Sequence, residues 1–232
     1  MPSGSGQLTL LPRPTPARLT RQQAAASQRG RLLRAMAEAI AENGYAQTAV
    51  ADVTARAGVS RRTFYEQFTG KEDCFLAAFD AGAEVLFKTV QAAIDPQEAV
   101  ERQMRAALET YLTLLAAEPA FAKATLVEVF AAGPDAVARR QRLFDRFVAL
   151  FEQIIRGADA SLASHRGKPT APAGEHAEPG DIELATGAIG YAVTMRVASG
   201  QAALLPGLCD RFTRFMLAAL RPDDGKERQR KG

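Results

Sequence analysis

Residues 52–68 read DVTARAGVSRRTFYEQF, and the chemistry on offer is hydrogen bonding and charge. Arg61, Arg62, Thr63 and Tyr65 fall in the first turn and a half of a helical stretch that restarts directly after Ala57-Gly58-Val59-Ser60. Gly58 permits a tight turn, and the Ser60 hydroxyl can cap the new helix by accepting from an unpaired N–H. Val53 and Ala57 on one side, and Val59, Phe64 and Phe68 on the other, have the spacing to face each other and fix the angle between the two helices. This is a helix-turn-helix, and the major groove of B-DNA, about 12 Å wide, admits its second helix. In such motifs the N-terminal part of that helix meets base edges while flanking groups hold phosphates. The arginine fork is the commonest reader of guanine, and Lys71, opening the next helix, can meet a phosphate. A helical hairpin with a solvated arginine face is the plain alternative. The coincidence of turn, cap, Arg-Arg-Thr face and inward aromatics favours DNA.

Charge agrees. Residues 1–71 carry ten Arg/Lys against four Asp/Glu, a net of +6, which leaves −3 for the rest of a chain whose total is +3. A basic end on a faintly acidic body suits a polyanion partner. The 232 residues, 47% hydrophobic, are enough to bury a sizeable core. No run approaches the roughly 18 apolar residues of a membrane span. The early LTLL is too short for a signal-peptide core and ends at Pro12, so a cytoplasmic protein with no membrane partner is expected. Cys74 and Cys209 lie inside helical patterns with no histidine near in sequence and are expected as reduced, buried thiols. His165 and His176, the two histidines, lack the spacing of a zinc site. With no metal cluster, phosphate loop or nucleophile–base pair, no catalytic residue, metal or cofactor is expected, and the chain does not read as an enzyme.

The elements that must hold this reading head are all helical. A disordered basic arm is expected over 1–26, then a helix over about 27–43 with Leu32, Leu33, Met36, Ala39 and Ile40 at helical spacing, stopped by Asn43-Gly44. Thr48 is placed to cap the next helix, to about residue 56. After residues 61–68, a long helix runs from Lys71 to about Ile94, where Asp95-Pro96 ends it. Further helices are expected at about 97–117, 119–131, 134–161, 181–200 and 206–220, with Pro119 and Pro134 at helix starts. Residues 157–180, poor in large apolar side chains, read as a flexible loop, and 221–232 as a charged tail. The fold class is all-α with about nine helices.

The run GYAQTAVADVTARAGVSRRTFYEQFTGKEDCFLAAF resembles the tetracycline-repressor (TetR) family of bacterial transcriptional regulators. The likeness covers residues 27–80, and the later helices match in number, length and order. It implies a DNA-binding head at 27–72, with the helix-turn-helix at about 50–69, and a ligand-binding and dimerisation domain at 73–220 with its loop at about 160–180. Carried over position by position, it implies DNA contacts at Thr48, Ser60, Arg61, Arg62, Thr63, Tyr65, Gln67 and Lys71. Two positions depart from the family's pattern. Thr54 stands where an alanine usually packs, and Glu66-Gln67 replaces a frequent aromatic–histidine pair, which brings an acid close to the phosphates.

The resemblance also implies a homodimer on a palindromic operator, joined as a four-helix bundle through the last two helices. Ala185, Ala188 and Ala192 on one, and Leu208, Phe212 and Phe215 on the other, form stripes suited to this. The same stripes could serve the chain's own core. A cavity for a small effector is implied among the middle helices, where Met104, Leu108, Tyr111, Leu126, Phe130, Phe147 and Phe151 stand at helical spacings that core packing explains equally well. Uncharged, Phe-rich walls would suit an apolar or aromatic ligand. The expected function is a sequence-specific repressor released from its operator by such a ligand. A nonspecific architectural DNA protein and an all-helical small-molecule-binding protein or enzyme are the alternatives.

Overall fold

Long amphipathic runs punctuated by glycine and proline become, in the computed structural model, a stack of helices around one continuous apolar cluster. Residues 10–11, 21–165 and 180–219 are described. Among them lie α1 (Arg21–Asn43), α2 (Val50–Ala57), α3 (Arg61–Tyr65), α4 (Lys71–Ala92), α5 (Val100–Ala117), α6 (Pro119–Leu126), α7 (Pro134–His165), α8 (Asp181–Ala198) and α9 (Cys209–Ala218). Two 3-10 segments, Glu128–Ala132 and Ala202–Leu208, complete the order, and the described residues contain no strand.

Leu32, Met36, Ala39 and Ile40 are fully buried and seat α1 against α2, α4 and α6. Gly44, at φ +80°, then turns the chain, its N–H donating to the Ile40 carbonyl at 2.8 Å. α4 is the spine. Its 22 residues, about 33 Å at 1.5 Å per residue, begin in the head and continue between α5 and α7. Glu72 and Asp73 sit in its first turn, where the helix dipole favours acids. At its middle Gly82 meets Phe121 of α6 so closely that a Cβ there would stand 2.1 Å from the ring.

Several boundaries differ from expectation. α2 is capped not by Thr48 but at Ala49, whose N–H donates to the Asp52 carboxylate at 2.8 Å. Thr48 is instead buried, its hydroxyl donating to the Gly44 carbonyl at 2.8 Å. α1 begins at Arg21, inside the expected arm, and Leu10 and Leu11 are buried rather than solvated. The remainder of the arm lies outside the described residues, as do His176 and the charged tail. α7 continues to His165, past the expected end at about 161, while 166–179 of the expected loop lie outside the described residues. The helix expected over 119–131 is divided at Val127, and the last α-helix starts at Cys209 behind a 3-10 segment containing Pro206.

Both cysteines are buried. Burial pushes the Cys74 thiol up to about 12, only partly offset by Arg29. Thiols so buried are inert packing groups.

Candidate nucleic-acid interface and effector cavity

The angle between α2 and α3 is set by three local devices. Gly58 adopts φ +62°, a left-handed conformation that costs other residues about 1–2 kcal/mol. Its neighbour Val59 closes the turn, its N–H donating to the Thr54 carbonyl at 3.1 Å. Ser60 then caps α3, its Oγ accepting from the Thr63 N–H at 3.0 Å. Beneath, Val53 and Phe64 are fully buried, and the Phe64 ring lies tilted against Phe68 with ring centroids 5.6 Å apart. Thr54 fits where the family packs alanine because its hydroxyl donates to the Ala51 carbonyl at 3.0 Å, so no buried polar group is left unpaired.

What faces outward is a short cationic and aromatic ridge. Arg61 is exposed, the Arg62 side chain is 89% exposed and Tyr65 is 56% exposed. Tyr65 is braced edge-on against Phe64 at 5.3 Å. Arg62 Nε pairs with Glu66 at 3.0 Å, an exposed i,i+4 contact worth only a few tenths of a kcal/mol and easily exchanged for another anion. Thr63 is half-buried, its hydroxyl 3.0 Å from Ser60 Oγ.

The other candidates are placed differently. Lys71 Nζ donates to the Tyr45 carbonyl at 2.8 Å and lies 4.3 Å above the Tyr45 ring, so its charge staples α4 to the turn after α1. Half-buried Gln67 reaches back 3.5 Å to the Ala25 carbonyl. Thr48 is buried, its hydroxyl occupied by the Gly44 carbonyl. Two basic residues that spacing did not single out do border the ridge. Arg29 lies 4.4 Å over the Phe68 ring. Arg31 carries a buried Nε without a hydrogen-bond partner, and its Nη1 is 3.7 Å from the point where a Cβ on Gly58 would stand. Both come from α1, so only the tertiary packing of α1 on the turn reveals them.

Farther along α4 the body encloses a cavity of about 80 Å³. Five of the expected residues line it: Leu108, Tyr111, Leu126, Phe147 and Phe151, joined by Phe79, Phe121 and Phe144. Tyr111 and Phe147 meet edge-on at 5.4 Å, and Phe147 stacks towards Phe151 at 6.3 Å. Two expected residues are not on the wall. Met104 is fully buried in the core, and Phe130, in the first 3-10 segment, is 57% exposed. The wall is also not uncharged, because Arg140 of α7 lies on it. Burial pushes the Tyr111 phenol up to about 12, with Arg140 opposing the rise.

The stripes on α8 and α9 divide between two roles. Ala185 and Phe212 are buried within their own chain, as the intramolecular alternative required. Ala192 and Leu208 are half-buried, and Ala188 and Phe215 are exposed. The outward face of α8 is carried instead by Leu184, Ala188, Tyr191 and Met195, with Leu184 74% and Tyr191 68% exposed. Among the described residues no group of three His, Cys, Asp or Glu could hold a metal, and no helix is long and apolar enough to cross a membrane.

Known proteins are similar to this chain in sequence and in fold. Residues 32–78 match the model of the bacterial regulatory proteins of the tetR family. The HTH-type transcriptional activator FasR of Mycolicibacterium smegmatis is 25% identical over 142 residues, 61% of this chain and 64% of that protein. The fatty acid metabolism regulator protein of Bacillus subtilis is 28% identical over 98 residues, 42% of this chain and 50% of that protein. The chain thus spans less than two thirds of the length of either relative. In fold, it is similar to the solved structure of the transcriptional regulator FadR from Bacillus subtilis in complex with stearoyl-CoA, with a TM-score of 0.66 and 20% identity over 82% of this chain and 98% of that one. The match runs through α1, the two helices of the turn and the start of α4, so the head of this chain is similar to that of the tetR family of bacterial regulatory proteins.

Proposed function

We propose that the chain is a DNA-binding transcriptional regulator whose hold on an operator responds to an apolar ligand in the body. The observation that carries this reading is the outward ridge of Arg61, Arg62, Thr63 and Tyr65, held at a fixed angle by Gly58, the Ser60 cap and the buried Phe64. A ridge so placed fits the major groove, with Arg29 and Arg31 beside it for phosphates. One such helix reads only a few base pairs. The exposed apolar stripe of α8 therefore supports a homodimer, and two-fold symmetry supports a palindromic operator.

The Phe-rich wall favours a hydrocarbon chain, and one relative is named a fatty acid metabolism regulator protein while the solved neighbour is in complex with stearoyl-CoA. A cavity of about 80 Å³ is well below the roughly 300–1,000 Å³ of occupied ligand sites. A long chain enters only by moving walls apart, which is what an effector of this kind must do. Repression relieved by the ligand is the simplest sign of regulation for this geometry.

The test is footprinting and anisotropy on DNA flanking the chain's own gene, with and without long-chain acyl ligands. Protection of one palindrome, lost on adding ligand, is the expected result. Equal affinity for all DNA would favour the architectural alternative, and protection that no acyl ligand changes would remove the effector half.

A further inference from the structure

Most of the cavity wall is hydrocarbon, and its polar groups differ in what they have left to offer. Thr125 and Thr186 have already donated their hydroxyl protons to carbonyls on their own helices, at 2.8 Å to Phe121 and 2.6 Å to Ile182. Arg140 is different. It is the one charged residue among those lining the cavity, and its Nε is buried without a hydrogen-bond partner. Its guanidinium carbon lies 5.0 Å above the Phe130 ring, which packs against the cation but accepts no conventional hydrogen bond. Tyr111 stands on the same wall as a phenol that burial keeps protonated. Both groups are donors, and the wall supplies no carboxylate to answer them.

A buried donor without an acceptor is destabilising, and more so on a charged group. A ligand that brought a negatively charged acceptor would satisfy it with a charge-assisted hydrogen bond. We infer that the cavity takes a carboxylate-terminated amphiphile, whose apolar chain lies along Phe147 and Phe151 and whose carboxylate is received by Arg140. This deepens the effector reading above and rests on it, naming a polar end that the aromatic wall alone leaves open.

The experiment compares ligands that differ only at that end. The full chain is titrated calorimetrically with hexadecanoate, with its uncharged methyl ester and with hexadecanoyl-CoA, below micelle-forming concentrations. The wild type should bind the acid at least about tenfold tighter than the ester, the worth of one charge-assisted hydrogen bond to a buried partner. Arg140→Gln should bring the two within about threefold, and Arg140→Lys should keep part of the preference because it keeps the charge. Equal binding of acid and ester by the wild type overturns the proposal, as does a preference that survives Arg140→Gln. So does binding of the CoA thioester alone, insensitive to Arg140, since its anionic groups would then lie elsewhere. The wild-type comparison stands even if a variant fails to fold. Failure of the effector reading looks different, as ligands would bind with whatever preference and leave operator affinity unchanged.

Discussion

At position 71 a lysine that sequence spacing directs to a phosphate turns back on the protein, donating to the Tyr45 carbonyl and covering the Tyr45 ring. The two kinds of cation on this head should therefore separate experimentally. Arg62→Ala is expected to weaken operator binding by about 1–3 kcal/mol with an unchanged melting temperature, because the side chain is exposed and its Glu66 contact is weak. Lys71→Ala should instead destabilise the fold by about 1 kcal/mol, with a smaller effect on DNA. Anisotropy and thermal melts of the two variants check both. The buried phenol of Tyr111 gives a pH signature. Its folded pKa of about 12 lies above the ordinary value of 10.0, so the stability linked to it is fully present below pH 10 and is lost as pH rises towards 12. An absorbance titration of the phenolates should show a late-ionising tyrosine that Tyr111→Phe removes.

Among the elements, those that carry their own punctuation were legible in the sequence. Gly44, Gly58 and Ser60 fix the ends of α1, α2 and the start of α3, and Pro119 and Pro134 open α6 and α7, all as local rules require. The misplaced features are those decided by competition among neighbouring groups or by tertiary packing. Thr48 has the right chemistry for a cap, but Asp52 reaches Ala49 first and packing buries the threonine. On α8 the outward apolar stripe keeps Ala188 while Ala185 turns into the chain's own core, because small and apolar side chains on several faces leave little periodicity to say which side looks out. The close approach of α4 and α6 at Gly82 was illegible for the same reason. Gly82→Ala should push Phe121 off its seat, destabilise the body by about 1–3 kcal/mol and reshape the cavity that Phe121 lines. Denaturant melts and ligand titration of that variant test it. Wild-type behaviour in both would mean that the Phe121 ring is free to swing aside.

At the scale of the whole molecule, the proposed dimer and the proposed switch meet in the coupling of body to head. Tyr191 is exposed and contributes little to its own chain's core, so Tyr191→Arg should leave the monomer folded while placing a charge in the proposed α8 bundle. Sedimentation should show a folded monomer with much reduced operator affinity, because a palindrome needs two heads about 34–36 Å apart. What moves those heads is suggested by α6 and the 3-10 segment after it. Phe121, Thr125 and Leu126 line the cavity. On the opposite side Lys123 Nζ donates to the Ala41 carbonyl at 2.6 Å, and Glu118 pairs with Arg34 at 3.2 Å. Just beyond, Glu128 accepts from the Tyr45 N–H at 2.9 Å. One short element therefore touches both the ligand's space and the end of α1 on which α2 packs. A chain wedged against Phe121 must displace these contacts or be resisted by them, and a coupling of roughly 1–3 kcal/mol is the usual size of such an effect. Glu128→Gln combined with Lys123→Met loosens that grip without altering the cavity wall. The double variant should bind ligand and operator separately with near wild-type affinity, yet release the operator less completely when ligand is added. Full release in that variant would put the coupling in α4 alone, which begins in the head and is tied to it by the Lys71 staple.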